Sequence, residues 1–183
     1  MTDQSFSVMT SRKSNEHYTP ASVLEPVYEF FGKVDLDPCS NSLTHPNVHC
    51  QQAYTIEKDG LSQRWEATNA FINPPFSDTS KWVCKAILEH ETTGIEILFL
   101  AKAAVDTRWG QLLLDYPHCH WTERVKFIKK GNKDRPAPFP STLYYLGKDW
   151  RKFTRIFSQY GVVQPGTLLF QRLIRLEKTS FFR

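Results

Sequence analysis

The 183-residue chain has no apolar run approaching the ~18 residues that a membrane-spanning helix needs. Its first sixteen residues, MTDQSFSVMTSRKSNE, hold no apolar core of the kind a secretion signal carries, and they read as a flexible tail. A cytoplasmic protein is the expectation. Cysteine is sparse: Cys39, Cys50, Cys84 and Cys119, with no CxxC pair among them. The runs His49-Cys50 and His118-Cys119-His120 hold metal-ligating letters, but tetrahedral zinc sites draw on spaced ligand pairs, so no metal is expected. Thiols in a reducing compartment are the simpler reading. There is no internal repeat and no low-complexity linker, which leaves one domain over residues 17–183 behind a tail at 1–16.

What is present is an ordinary globular composition, 40% hydrophobic and 23% charged. The net charge of +4 says little, but its distribution is uneven. Residues 123–155 carry ten basic groups against three acids, so the rest of the chain is net acidic. A local excess of that size suits a polyanion partner or a solvated, Lys-rich face, and charge alone does not choose between them.

Apolar periodicity alternates between helical and strand patterns, the mark of an α/β layer fold. Thr19-Pro20 reads as a helix start, with Thr19 as N-cap and Pro20 in the first turn. Val23, Leu24, Val27, Tyr28, Phe30 and Phe31 follow, Gly32 ends the helix, and Pro26 predicts a kink or break. Residues 34–37 form a first strand, 41–60 are polar and irregular, and 61–65 make a helical turn. Residues 70–72 form a strand that stops at two prolines. Ser77 or Asp78 caps a helix with Trp82, Val83, Ala86 and Ile87 on one face. Residues 95–100 are a buried strand, and Asp106 or Thr107 starts another helix. Residues 121–128 alternate like a strand, 129–140 read as a Pro-rich basic loop, and 142–146 as a strand. Asp149 caps a helix, and Val162-Val163 with residues 167–176 form a final strand pair. The sum is an open, mostly parallel sheet with helices on both faces, whose ligands sit beyond the carboxyl ends of the strands.

Asn73-Pro74-Pro75-Phe76 carries the strongest chemical signal. Average residue usage gives Asn-Pro-Pro-aromatic by chance in roughly one chain in a thousand of this length. It also closes a central strand. An exocyclic amine on a nucleobase is a poor nucleophile because its lone pair is delocalised into the ring. Two acceptors against its two hydrogens draw the nitrogen toward a tetrahedral, reactive shape. The Asn73 side-chain oxygen supplies one acceptor and the Pro74 carbonyl the other, pre-aimed by fixed φ angles. Phe76 offers a face for a base taken out of its helix. The other reading is a strand-ending turn with a core Phe.

Taken together, His17 to Pro20, Leu36 to Ser40, Asp59-Gly60-Leu61 with Trp65, Asn73 to Phe76 with Trp82, Arg124, Phe127 and Pro136 to Ser141 resemble the phage-type DNA N-6-adenine methyltransferase family. The resemblance implies a Rossmann-like class I methyltransferase fold, S-adenosyl-L-methionine as donor, and a bacterial host cytoplasm if phage or prophage encoded. It implies that Asn73, Pro74, Pro75 and Phe76 hold the target adenine. By analogy with related amino-methyltransferases, it maps Asp59 to the cofactor's adenine amine, Asp37 and Ser40 to its ribose or amino-acid part, and Thr19 and Pro20 to a segment closing over the methionine moiety. Many methyltransferases carry a Gly-rich loop after the first strand. Here no glycine lies between Gly32 and Gly60, and a cofactor without phosphates does not require that cradle.

DNA is the expected partner. Lys126, Lys129, Lys130, Lys133 and Arg135 are expected to meet phosphates, which give affinity without sequence information. Nothing resembles a separate recognition domain, so sequence preference is expected to be short or relaxed. The same two-acceptor geometry fits RNA amines or a glutamine side chain, and an inactive nucleic-acid-binding module is a further alternative. Cytosine-C5 chemistry would need a Pro-Cys nucleophile; Pro38-Cys39 has the letters but sits on the wrong strand, without a partnering Glu motif.

Overall fold

The computed structural model describes residues 18–129, 132–168 and 171; the tail at 1–16, His17 and Lys130 lie outside the described residues. The elements follow as α1 (Ala21–Phe31), β1 (Val34–Asp37), β2 (Cys50–Ala53), β3 (Asn69–Ile72), a 3-10 turn (Phe76–Asp78), α2 (Thr79–Thr93), β4 (Glu96–Lys102) and α3 (Arg108–Leu113). Then come β5 (His118–Trp121), β6 (Lys126–Lys129), β7 (Asn132–Pro136), β8 (Ser141–Leu146), α4 (Trp150–Phe157) and β9 (Gly161–Gln164).

Seven strands form one sheet in the order β2-β1-β3-β4-β8-β5-β9. The pairs β2/β1, β1/β3 and β3/β4 are parallel, whereas β4/β8, β8/β5 and β5/β9 are antiparallel. Five strands therefore share one direction and two oppose it. The sheet is mixed because β8 and β9 run against the other five strands and pair antiparallel with their neighbours.

Strand alternation divides the core in two. Phe71, Leu98, Leu100, Leu143 and Tyr145 face α1 and α4, meeting Val23, Val27, Phe30, Phe153 and Phe157. Ala70, Ile72, Ile97, Phe99, Tyr144 and Leu146 face the other way, where α2 and α3 supply Trp82, Val83, Ala86 and Leu113. This is an α/β architecture with an open, mixed sheet covered by helices on both faces.

Several local expectations are corrected. The polar stretch 41–60 contains β2, a half-exposed edge strand stabilised by pairing to β1 rather than by apolar burial. Thr19 is not the cap of α1; Pro20 takes that position, and its carbonyl accepts from Val23 and Leu24. The helix continues through Pro26, which is itself buried on the core face. Residues 60–62 make a turn closed by Ser62 N–H on the Asp59 carbonyl, not a helix. Strand pairing breaks after Trp121, where Thr122 N–H turns to the Tyr160 carbonyl. The expected basic loop is instead the hairpin β6/β7, with Pro136 at its terminal pair, where a missing N–H is tolerated. β9 pairs with β5, not with residues 167–176. Thr167 and Leu168 are helical and donate to the carbonyls of Leu114 and Asp115, and most of 169–176 lies outside the described residues.

From β1 the chain passes to β2 on one side and then crosses to β3 on the other. That reversal opens a crevice beyond the carboxyl ends of β1 and β3, where open α/β sheets hold their ligands.

Candidate active site

The turn after β1 forms one wall of this crevice. Asp37 is 4% exposed, and its Oδ1 accepts from Cys39 N–H at 3.1 Å, the local bond that makes Asp a turn former. Burial pushes its carboxyl up to about 6, against the lowering effect of the Cys39 N–H and the Ser40 side chain. Ser40 N–H donates to the Tyr54 carbonyl and Tyr54 N–H to the Asp37 carbonyl, each at 2.9 Å, so the turn is stitched to the end of β2. A cavity of about 390 Å³ lies against Pro38 to Asn41, Tyr54 to Ile56, Asp59 to Leu61 and Asn73 to Asp78, with Tyr18 and Trp82 on its walls.

Gly60 sets how closely two of these walls approach. A Cβ there would lie 1.9 Å from the Pro38 carbonyl oxygen, so only glycine fits. Trp65 Nε1 donates to the Gly60 carbonyl at 2.9 Å, and Trp65 stacks on Trp82 of α2. Glu89, 5% exposed and paired with Lys85, accepts from Trp65 N–H at 3.4 Å. The two tryptophans thus brace the Gly60 turn from behind. Asp59 is exposed on the cavity wall with φ 49°, and its Oδ1 accepts from Leu61 N–H.

β3 delivers Asn73, Pro74, Pro75 and Phe76 to the same cavity. Asn73 Nδ2 donates to Thr19 Oγ1 at 2.9 Å, which places its Oδ1 at the opposite end of the amide plane. Phe76 is fixed by edge-on contacts to Phe139 and Phe127, with centroids at 4.9 and 6.4 Å. Phe127 belongs to β6, and Ile128 beside it exchanges two backbone hydrogen bonds with Tyr18. The hairpin is therefore joined to the cavity through an aromatic cluster and a backbone bridge.

Of the residues singled out in the sequence, Asn73, Pro74, Pro75, Phe76, Ser40 and Asp59 converge on the cavity. Asp37, Thr19 and Pro20 do not line it, although Thr19 bonds Asn73 and Asp37 bonds Cys39 on its wall. Lys126 is exposed on β6, and the backbones of Lys129, Lys133 and Arg135 lie in the hairpin. Asn41, Tyr54, Ile56, Leu61 and Trp82 were not singled out as site residues; the adjacency of Asn41 to Ser40 and of Leu61 to Asp59 was the available signal. No group of three or more His, Cys, Asp or Glu converges among the described residues. Within 118–120, His118 and His120 bond Tyr116 and Thr142 while Cys119 points into the opposite core. The Cys39 thiol is pushed well above its usual value by burial and then by the Asp37 charge, which keeps it protonated and unsuited to the cytosine-C5 role.

A family described as DNA N-6-adenine-methyltransferase (Dam) matches residues 7–164. The chain belongs to this family. No curated protein matches the chain. Family membership makes it a DNA adenine methyltransferase by descent and implies S-adenosylmethionine as methyl donor. The cavity residues fit such a donor in kind: apolar walls at Ile56 and Leu61 suit a purine, and the Asp59 carboxylate and Ser40 hydroxyl suit amines and hydroxyls.

Two outcomes follow from the walls. Between pH 3.8, the ordinary Asp value, and about 6, the folded chain keeps an Asp37 proton that the unfolded chain releases. Its contribution to stability is thus full below pH 3.8 and lost as pH rises through about 6. Asp37→Asn should accordingly raise unfolding stability, relative to the parent, more at pH 7 than at pH 4 in urea titrations; an equal effect at both would contradict the assignment. Gly60→Ala should weaken donor binding about tenfold or more in calorimetry, since displaced walls spoil a preformed site; parent-like affinity would show that the close approach does not shape it.

Proposed function

We propose that the chain methylates adenine N6 in DNA by direct transfer to a base held at Asn73 to Phe76. The observation that carries this reading is the arrival of Asn73 and Pro74 at the cavity, with the Asn73 amide tied at its nitrogen end to Thr19. The bound donor supplies an electrophilic methyl group on sulfur. Asn73 Oδ1 and the Pro74 carbonyl would accept the two amine hydrogens and turn the nitrogen lone pair toward that methyl; as the N–C bond forms the C–S bond would break to leave a neutral thioether, and one amine proton would pass to solvent. Pro74 and Pro75 hold the carbonyl direction without reorganisation. Phe76, fixed by its aromatic neighbours, stacks the extruded base. Asp59 and Ser40 take the polar groups of the donor, and the Pro38 to Asn41 turn its flank. Asp37, Thr19 and Pro20 act without lining the cavity, shaping the turn and fixing Asn73.

The hairpin β6/β7 carries Lys126, Lys129, Lys133 and Arg135, with Lys130 following Lys129 in the sequence, and meets the DNA backbone. Its link to Phe76 through Phe127 supports a role in holding the backbone close to the extruded base.

The decisive assay offers radiolabelled donor separately to DNA, RNA and protein, with mass spectrometry of the released nucleosides. Label should enter DNA as N6-methyladenine, in a short or degenerate sequence context, and Asn73→Ala should lower the rate about 10²–10³-fold. Label in RNA or protein alone, or an unimpaired Asn73→Ala, would overturn the reading. Lys129→Glu with Lys130→Glu should weaken DNA binding and reduce the slope of log affinity against log salt by about two. An unchanged slope would remove the hairpin from the interface.

A further inference from the structure

We infer that Thr19 and Asn47 are positioning residues that set the Asn73 amide for the methyl transfer. This rests on the reading of Asn73 as the amine acceptor. The argument starts from the amide itself. Rotated by 180°, it would present an NH2 group where an acceptor is needed, and two donors would face each other. A hydroxyl can accept from Nδ2 or donate to Oδ1, so Thr19 Oγ1, 2.9 Å from Nδ2, fixes where the amide sits, and the two substrate hydrogens then select the orientation that turns Oδ1 toward them.

Thr19 is in turn held with little freedom. It is 2% exposed, and it precedes α1 without capping it, so its hydroxyl is not committed to the helix. Its backbone N–H and carbonyl are both held by a single side chain. Thr19 N–H donates to Asn47 Oδ1 at 2.7 Å, and Asn47 Nδ2 donates to the Thr19 carbonyl at 3.0 Å. That pattern copies a β-pair with a side-chain amide in place of a strand. Asn47 N–H donates to Asn41 Oδ1 at 2.9 Å, and Asn41 lies on the cavity wall beside Ser40. On the other side, Tyr18 is pinned to Ile128 of the hairpin. A chain of contacts, Asn41 to Asn47 to Thr19 to Asn73, therefore joins the turn after β1 to the residue at the end of β3. The segment 18–19 is clamped where the donor wall, the hairpin and the amide meet.

The test compares Thr19→Val, Thr19→Ser, Asn47→Ala, Asn47→Asp and Asn73→Ala in steady-state methylation of DNA, with melting temperature and donor affinity measured for each. Thr19→Val should lower kcat about 10–100-fold, while KM for DNA and donor affinity stay within about threefold, because a misplaced reacting group affects the rate more than the binding. Thr19→Ser keeps the hydroxyl and should restore kcat to within about threefold of the parent. Asn47→Ala should lower kcat about tenfold, and Asn47→Asp should do the same, since it keeps the acceptor for Thr19 N–H but sets an oxygen against the Thr19 carbonyl. A loss of DNA or donor affinity in step with kcat would assign both residues to general structure and overturn the inference. If Thr19→Val does not fold, the Thr19→Ser and Asn47 variants decide. An inactive Asn73→Ala beside parent-like Thr19 and Asn47 variants would sink the positioning role alone. A fully active Asn73→Ala would sink the catalytic reading on which it rests.

Discussion

An asparagine amide has one end that donates and one that accepts, and the candidate site depends on which end meets the substrate. The bond from Asn73 Nδ2 to Thr19 Oγ1 is the constraint that holds this amide in place at the cavity. A proline carbonyl cannot rotate independently of its backbone, so Pro74 needs no equivalent partner. In the proposed reading the two acceptors are held by different means, one by chain stiffness and one by a tertiary hydrogen bond. The second is the more vulnerable, since it spans 54 positions and draws on a segment that also contacts the hairpin.

Around that bond the fold brings three strand ends together. The turn after β1 is shaped by a buried carboxyl, Asp37, whose pKa of about 6 records the desolvation penalty of keeping it there. The wall opposite is shaped by Gly60, pressed on the Pro38 carbonyl and backed by Trp65 and Trp82. Neither wall resembles a glycine-rich phosphate loop. Side-chain hydroxyls, two carboxylates and apolar faces line the cavity, which suits a donor recognised by its purine and hydroxyls rather than by phosphates.

The sheet and its helices were legible where burial imposes a period. β3 and β4 alternate between two cores, and α2 keeps Trp82, Val83 and Ala86 on one stripe. The tetrapeptide at 73–76 was legible because two prolines cannot continue a central strand, so its place at a strand end followed directly. β2 was not legible, since Cys50–Ala53 is polar and half-exposed and owes its extended form to pairing with β1. The hairpin was hidden by its prolines and lysines, which read as loop chemistry. Thr19 carried the letters of a helix cap, and local pattern alone could not reveal a partner 54 residues away. Asn47 has no local signal at all; its role appears only when Thr19 is seen between its two amide atoms.

A crystal structure of the protein with a non-transferable analogue of the methyl donor would test the central claim most directly. The analogue should lie between the Pro38 to Asn41 turn and Gly60, its reactive end toward Asn73 Oδ1 and the Pro74 carbonyl, with Asn73 Nδ2 still on Thr19. An analogue bound elsewhere, or those two oxygens turned away from its reactive end, would contradict the account.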